Sequence, residues 1–227
     1  MLGIEEPKRD TKGDHMNLLD ANLALFVAAS MALISTPGQD NIYILTRGIS
    51  QGRLAALVSA WGVCAGLLVH TAFAAAGLSA ILASSALAFS VVKYAGAAYL
   101  VYLGLRMILS REGLAISEGD GARSASMRTV FLQGVASNVL NPKVALFFLA
   151  FLPQFVSAGA SESHLQFLFL GLLFVALALV VTTLLALFCG IVGNWLKGRP
   201  SVAGAIGKAA GSVFVALGAR LALSDVR

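Results

Sequence analysis

The chain has 227 residues, 58% of them hydrophobic and only 12% charged, against roughly 25% charged in a soluble domain. One soluble core cannot hide that much apolar surface, which argues against a soluble enzyme or binding module. The net charge of +5 does not indicate nucleic acid, because no basic face interleaved with aromatics is present; it fits Lys and Arg collected in cytoplasmic loops.

The first residues are charged and lack an apolar pattern, so residues 1–17 are expected to be a disordered tail, with Met16 as a second candidate start. A cleaved signal peptide over the first apolar run is disfavoured, because no basic stretch directly precedes it and Asp20 stands at its start. Apolar runs of about 20 residues, the length that crosses the hydrocarbon, then recur along the chain. Six spans are predicted, over residues 22–48, 54–80, 87–109, 128–156, 164–196 and 202–223. Between spans three and four lies a polar linker, residues 111–127.

Lys and Arg concentrate after the odd spans: Arg47 and Arg53, then Arg106, Arg111, Arg123 and Arg128, then Lys197 and Arg199. Those loops are expected to be cytoplasmic, which places both termini outside. The two halves, residues 18–110 and 128–227, resemble each other. Each opens with a span interrupted by proline, at Pro37 and at Pro142, and Leu103-Gly-Leu-Arg106 matches Leu217-Gly-Ala-Arg220. An odd number of spans per half inverts the second half relative to the first, the inverted repeat common in secondary transporters. The expected fold is therefore an all-α membrane protein of about six transmembrane helices in two inverted three-helix repeats, with spans one and four broken at Pro37 and Pro142.

A proline inside a helix removes one hydrogen bond and clashes with the turn before it. The break at Pro37 falls about 22 Å along a span of about 37 Å. Backbone freed at such depth survives only inside protein or against a water-filled cavity. Each half-helix after a break points N–H donors and a partial positive charge at that cavity, an arrangement suited to a carboxylate. Beside the breaks stand Gln39, Asp40 and Asn41, and Asn138, Asn141 and Lys143. Ionisable side chains at mid-membrane are costly and usually functional. Asp40 is expected to meet a substrate ammonium or carry a coupling proton, and Lys143 to balance Asp40 or hold a substrate carboxylate. The competing structural reading makes Asp40 and Lys143 a permanent pair that locks the halves together. His70, midway along span two, is a second proton-coupling candidate; its structural alternative is a buried imidazole bonded to a nearby carbonyl. Lys93 and Lys208 are expected to snorkel toward the headgroups.

Gly62-xxx-Gly66 and Gly207-xxx-Gly211 have helix-packing spacing, more for contacts within the bundle than for a homodimer through span six. Cys64 and Cys189 both lie in apolar runs with no zinc spacing, so they are expected to be packing residues. No cofactor or metal site is expected. No HExxH, GxSxG or phosphate-loop pattern supports an integral membrane enzyme, and too few soft ligands flank the breaks for a metal-ion exporter.

The residues around the breaks resemble the lysine-exporter (LysE) superfamily, in its homoserine/threonine exporter branch. The resemblance is carried by residues 35–53, which include Ser35-Thr-Pro-Gly-Gln-Asp-Asn41, and by Gly66-Leu-Leu-Val-His70. It continues through residues 93–104 and through residues 138–155, with Asn141-Pro-Lys143 followed by the phenylalanines. It spans nearly all of residues 18–223. The resemblance implies a multi-pass protein of the bacterial inner membrane that exports amino acids or their lactones, driven by protons. Carried over by position, the site residues are Pro37, Gly38, Asp40, Asn41, Asn141, Pro142 and Lys143. The family usually reads Pro-Gly-Pro at the first break, and Gln39 here replaces the second proline.

Overall fold

In the computed structural model, residues 11–78, 86–109, 125–156, 163–191 and 200–223 are described. Every element among them is helical. In chain order they are α1 (Thr11–Ser35), α2 (Gln39–Gln51), α3 (Arg53–Phe73), α4 (Ala86–Leu109), α5 (Met127–Val139), α6 (Pro142–Leu146), α7 (Ser163–Leu187) and α8 (Pro200–Leu223). A wide π turn, Ala74–Leu78, extends α3, and a second one, Phe147–Phe151, extends α6 into a tight turn at Leu152–Phe155. The expected linker falls largely outside the described residues.

Two helices, Arg53–Gly77 and Ser163–Leu187, are each 25 residues long and apolar enough to cross a membrane. Met127–Val139 and Pro142–Phe155, bent by 45°, form a third such unit as a pair. Asn22–Ser35 and Gly211–Leu223 are apolar but shorter. Helix α1 reaches back to Thr11, into the stretch expected to be tail. Extending an existing helix adds a hydrogen bond per residue without a new nucleus, so a polar sequence can continue one.

Local chemistry sets the ends of the helices. Gly52 separates α2 from α3 at φ +88°, a left-handed conformation that suits glycine. Helix α5 starts at Ser126, whose Oγ accepts from the Thr129 N–H at 3.2 Å. Phe147, Phe148 and Phe151 are buried; Phe147 packs on Phe26, Phe151 and Phe174, and Phe148 on Phe174, the Phe147 and Phe174 centroids 5.3 Å apart. The phenylalanine run is thus internal packing. Cys64 and Cys189 are free and buried, as packing residues should be.

Between apolar helices in lipid, close van der Waals approach replaces the hydrophobic force, and small residues permit it. Helices α3 and α5 touch backbone to backbone. A Cβ on Gly62 would lie 2.3 Å from the Phe131 carbonyl oxygen, and one on Gly66 would lie 2.7 Å from Asn138 Cβ. Gly62-xxx-Gly66 therefore serves the bundle interior. Gly62→Val is expected to destabilise the protein by about 1–3 kcal/mol through overpacking, read as a lowered unfolding temperature in detergent.

Helices α4 and α8 meet reciprocally. A Cβ on Gly104 would meet the Gly211 carbonyl oxygen at 2.5 Å, and one on Gly218 would meet the Ala97 oxygen at 2.8 Å. Moving back along α4 from Gly104 to Ala97 moves forward along α8 from Gly211 to Gly218, so the two helices run antiparallel. Lys93, on the same inward face as Gly96 and Ala97, is only 3% exposed. It does not snorkel, because that face packs on Ala150 and α8. Lys208 is exposed.

Candidate functional site

The site grows out of backbone groups that the prolines leave without partners. Pro37 has no N–H, so the Leu33 carbonyl loses its helical donor. Helix α1 stops at Ser35 and α2 begins at Gln39. Side chains take over the freed carbonyls. Asn41 Nδ2 donates to the Ile34 and Thr36 oxygens, each at 3.0 Å. Lys143 Nζ reaches across from α6 and donates to Leu33 O at 3.2 Å and Thr36 O at 3.3 Å. Gly38 makes this reach feasible, since a Cβ there would sit 2.9 Å from Nζ.

The second break follows the same logic with different donors. Pro142 deprives the Asn138 carbonyl of its helical partner. That oxygen is met by the Asn141 N–H at 2.9 Å and by His70 Nε2 at 3.1 Å. Asn141 caps α6, its Oδ1 accepting from the Lys143 N–H at 3.0 Å. No side chain caps α2.

Asp40 joins the two breaks. Its Oδ1 accepts from Ser137 Oγ at 3.1 Å. Its Oδ2 accepts from Asn138 Nδ2 and Asn141 Nδ2, each at 2.9 Å. Three donors on one carboxylate hold it in place. Below Asp40 the contact between α2 and α5 stays polar. Tyr43 Oη donates to Val130 O at 2.7 Å, Arg47 donates to Gln133 Oε1, and Gln51 Nε2 donates to Ala125 O at 2.9 Å.

Asp40 and Lys143 both line one cavity of about 30 Å³, room for roughly two waters. An amino acid does not fit this conformation without rearrangement. Asn41 and Asn138 add amides to the lining, Thr182 adds a hydroxyl, and Leu33, Val63, Leu67 and Phe174 form apolar wall. Among the described residues no ion pair joins Asp40 to Lys143: the carboxylate is held by neutral donors and the ammonium by carbonyls. The geometry thus differs from a permanent lock between opposite charges.

The expected site residues divide accordingly. Asp40, Asn41, Asn138 and Lys143 line the cavity. Asn141 holds Asp40, and Pro37 and Gly38 shape the first break. Pro142 is exposed and acts through the backbone it interrupts, while Gln39 is exposed and lies outside the lining. His70 also lies outside the lining, with its ring 5.7 Å from that of Phe148. Sequence reasoning missed Ser137 and Thr182. Ser137 adjoins the already selected Asn138. Thr182, with Thr183, is a polar interruption in an otherwise apolar helix.

The match to a family model decides the relationship: residues 31–225 fit the LysE type translocator. The chain belongs to that family. It is accordingly a membrane translocator, with the apolar helices described above. The homoserine/homoserine lactone efflux protein of Salmonella typhimurium is 34% identical over 197 residues, covering 87% of this chain and 94% of the relative. The leucine efflux protein of Klebsiella pneumoniae is 28% identical, covering 88% of this chain and 94% of its own length. An uncharacterized membrane protein of Bacillus subtilis is 29% identical, covering 87% of this chain and 96% of its own length. No solved structure matches the chain.

Proposed function

We propose that this LysE-type translocator is a secondary active exporter of amino acids or their derivatives, such as homoserine, threonine or homoserine lactone, across the bacterial inner membrane by proton antiport. The observation that carries the proposal is the cavity in which Asp40 and Lys143 stand unpaired to each other where both helices stop. A carboxylate and an ammonium in one cavity complement a zwitterion of opposite polarity. Asp40 takes the substrate ammonium or the returning proton. Lys143 holds the carboxylate, assisted by the uncapped N-terminus of α2. The efflux relatives support the amino-acid class.

Six spans in two inverted halves, residues 18–110 and 128–227, make up the proposed architecture. The antiparallel, reciprocal packing of α4 on α8 supports it, because Gly104 and Gly218 stand 114 residues apart, as do Ala97 and Gly211. A two-fold relation produces such paired contacts. The bond from Gln51 to Ala125 O sets the end of α2 beside the start of α5, which agrees with both flanking loops lying on the cytoplasmic side.

The test is uptake by energised inside-out vesicles with an acidic lumen, using labelled amino acids and homoserine lactone, with and without a protonophore. Uptake that collapses with the protonophore is expected. No uptake of any compound by inserted protein would refute the reading.

We read His70, a proton-coupling candidate, as a positioning residue, a reading supported by the contact of its Nε2 with the Asn138 carbonyl beside Pro142. His70→Gln, which keeps a donor on the side chain, is expected to retain most transport and an unchanged pH profile. His70→Leu is expected to lower uptake about tenfold, by leaving that carbonyl short of a partner. A flattened pH profile in His70→Gln would return His70 to the proton path.

A further inference from the structure

Resting on the exporter reading above, we infer that Thr182 determines specificity, reading a hydroxyl on the substrate side chain together with the amide oxygen of Asn138. Two observations meet in the cavity. Thr182 is 2% exposed and lines it from α7. Its hydroxyl already donates to Ala178 O at 2.7 Å, so toward the cavity it offers lone pairs only. Cys64 Sγ, at 3.6 Å, is its other polar neighbour.

The second observation is an orphan. Asn138 is fully buried and lines the same cavity, yet its Oδ1 has no hydrogen-bond partner. The amide cannot relieve this by turning over, because Nδ2 must face the Asp40 carboxylate at 2.9 Å. The oxygen lies beside Gly66, where a Cβ would approach it to 2.9 Å. A buried acceptor without a donor costs about 1–3 kcal/mol, a cost that a bound donor removes.

Two side chains lining the cavity thus have acceptor capacity to spare: Asn138 Oδ1, which has no donor, and Thr182 Oγ1, which has only the weak thiol of Cys64. The substrate ammonium is provided for at Asp40. A hydroxyl on the substrate side chain brings one further proton, given to Asn138 Oδ1 or shared between it and Thr182 Oγ1 as a three-centre bond. An aliphatic side chain of the same shape packs against Leu67, Val63 and Phe174 but donates to neither acceptor. Sites that hydrogen-bond a substrate hydroxyl discriminate strongly against analogues lacking it, whereas purely apolar pockets discriminate weakly.

The experiment compares threonine with valine, and homoserine with norvaline, as near-isosteric pairs in the energised vesicles. Wild type is expected to favour the hydroxylated member of each pair. Thr182→Val is expected to lower that ratio by roughly tenfold, with a raised KM for the hydroxylated member and improved uptake of the aliphatic one. Thr182→Ala removes the hydroxyl without adding bulk and should shift the ratio the same way; Thr182→Ser should restore it. If Thr182→Val and Thr182→Ala reduce both members equally, or leave the ratio unchanged, the assignment of Thr182 is overturned while the exporter reading stands. Wild type that takes up neither member of either pair, nor any other amino acid, overturns both.

Discussion

Asp40→Asn is expected to reduce uptake more than about a hundredfold while the protein still inserts. The carboxylate receives hydrogen bonds from Ser137, Asn138 and Asn141. An asparagine at the same place has one acceptor oxygen, which can keep Asn138 and Asn141, while its NH2 can donate to Ser137 Oγ, which turns to accept. The contacts survive in number, but the charge that strengthened them is gone. Hydrogen bonds to a charged group contribute about 1.5–3 kcal/mol each, and each 1.4 kcal/mol is a factor of ten. Weakening three charged bonds to neutral ones, about 1 kcal/mol each, while removing the only acidic group among the described residues that line the cavity, exceeds a hundredfold. The measurement is initial uptake in inside-out vesicles, normalised to inserted protein. Wild-type rates in Asp40→Asn would remove Asp40 from the mechanism.

Lys143→Met is expected to lose transport and stability together, which separates it from Asp40→Asn. Methionine matches the length of lysine but donates nothing. Thr36 O keeps Asn41, whereas Leu33 O loses the donor that replaced the N–H missing from Pro37. One buried carbonyl without a partner costs about 1–3 kcal/mol, visible as a lowered unfolding temperature in detergent. Lys143→Arg is not expected to restore the wild type, because Nζ sits where even a Cβ on Gly38 would come within 2.9 Å. A guanidinium needs more room than an ammonium. An unfolding temperature unchanged in Lys143→Met would show that the bonds to the first break contribute little.

The two substitutions address one design. Each proline removes a donor in one half of the chain, and a side chain from the other half supplies a replacement. Lys143 of the second half serves Leu33, and His70 of the first half serves Asn138. The breaks are therefore stabilised by contact between the halves. Any motion that parts the halves must exchange those bonds for others, and a bound substrate or water can provide them. A cavity of about 30 Å³ lined by Asp40, Asn138 and Lys143 is too small for an amino acid, so substrate binding requires rearrangement of its lining.

Residues with a backbone reason to be present were readable from the sequence. A proline within an apolar run forces unpaired carbonyls wherever the chain goes, and polar neighbours in such a run must answer them. That reasoning points to Asp40, Asn41, Asn138, Asn141 and Lys143. It also selected Gln39, which is exposed, because adjacency along a helix does not say which face turns inward. The same ambiguity misplaced Lys93, whose position near the start of span three suggested the headgroups although its face packs on Ala150.

By itself the sequence determined the solvent in which this protein lives, its helical class and the family. All of these follow from composition, from local backbone chemistry or from motifs contiguous in the chain. Only the tertiary structure decided who partners whom. That Lys143 serves carbonyls of the first break in place of Asp40, that His70 supports Asn138, and that Thr182 shares a cavity with Asp40 are relations between residues roughly 70 to 140 positions apart. Such relations depend on how helices cross, and crossing is set by small-residue contacts such as Gly62 on Phe131 and Gly104 on Gly211. Periodicity within one helix carries no information about the helix it will touch.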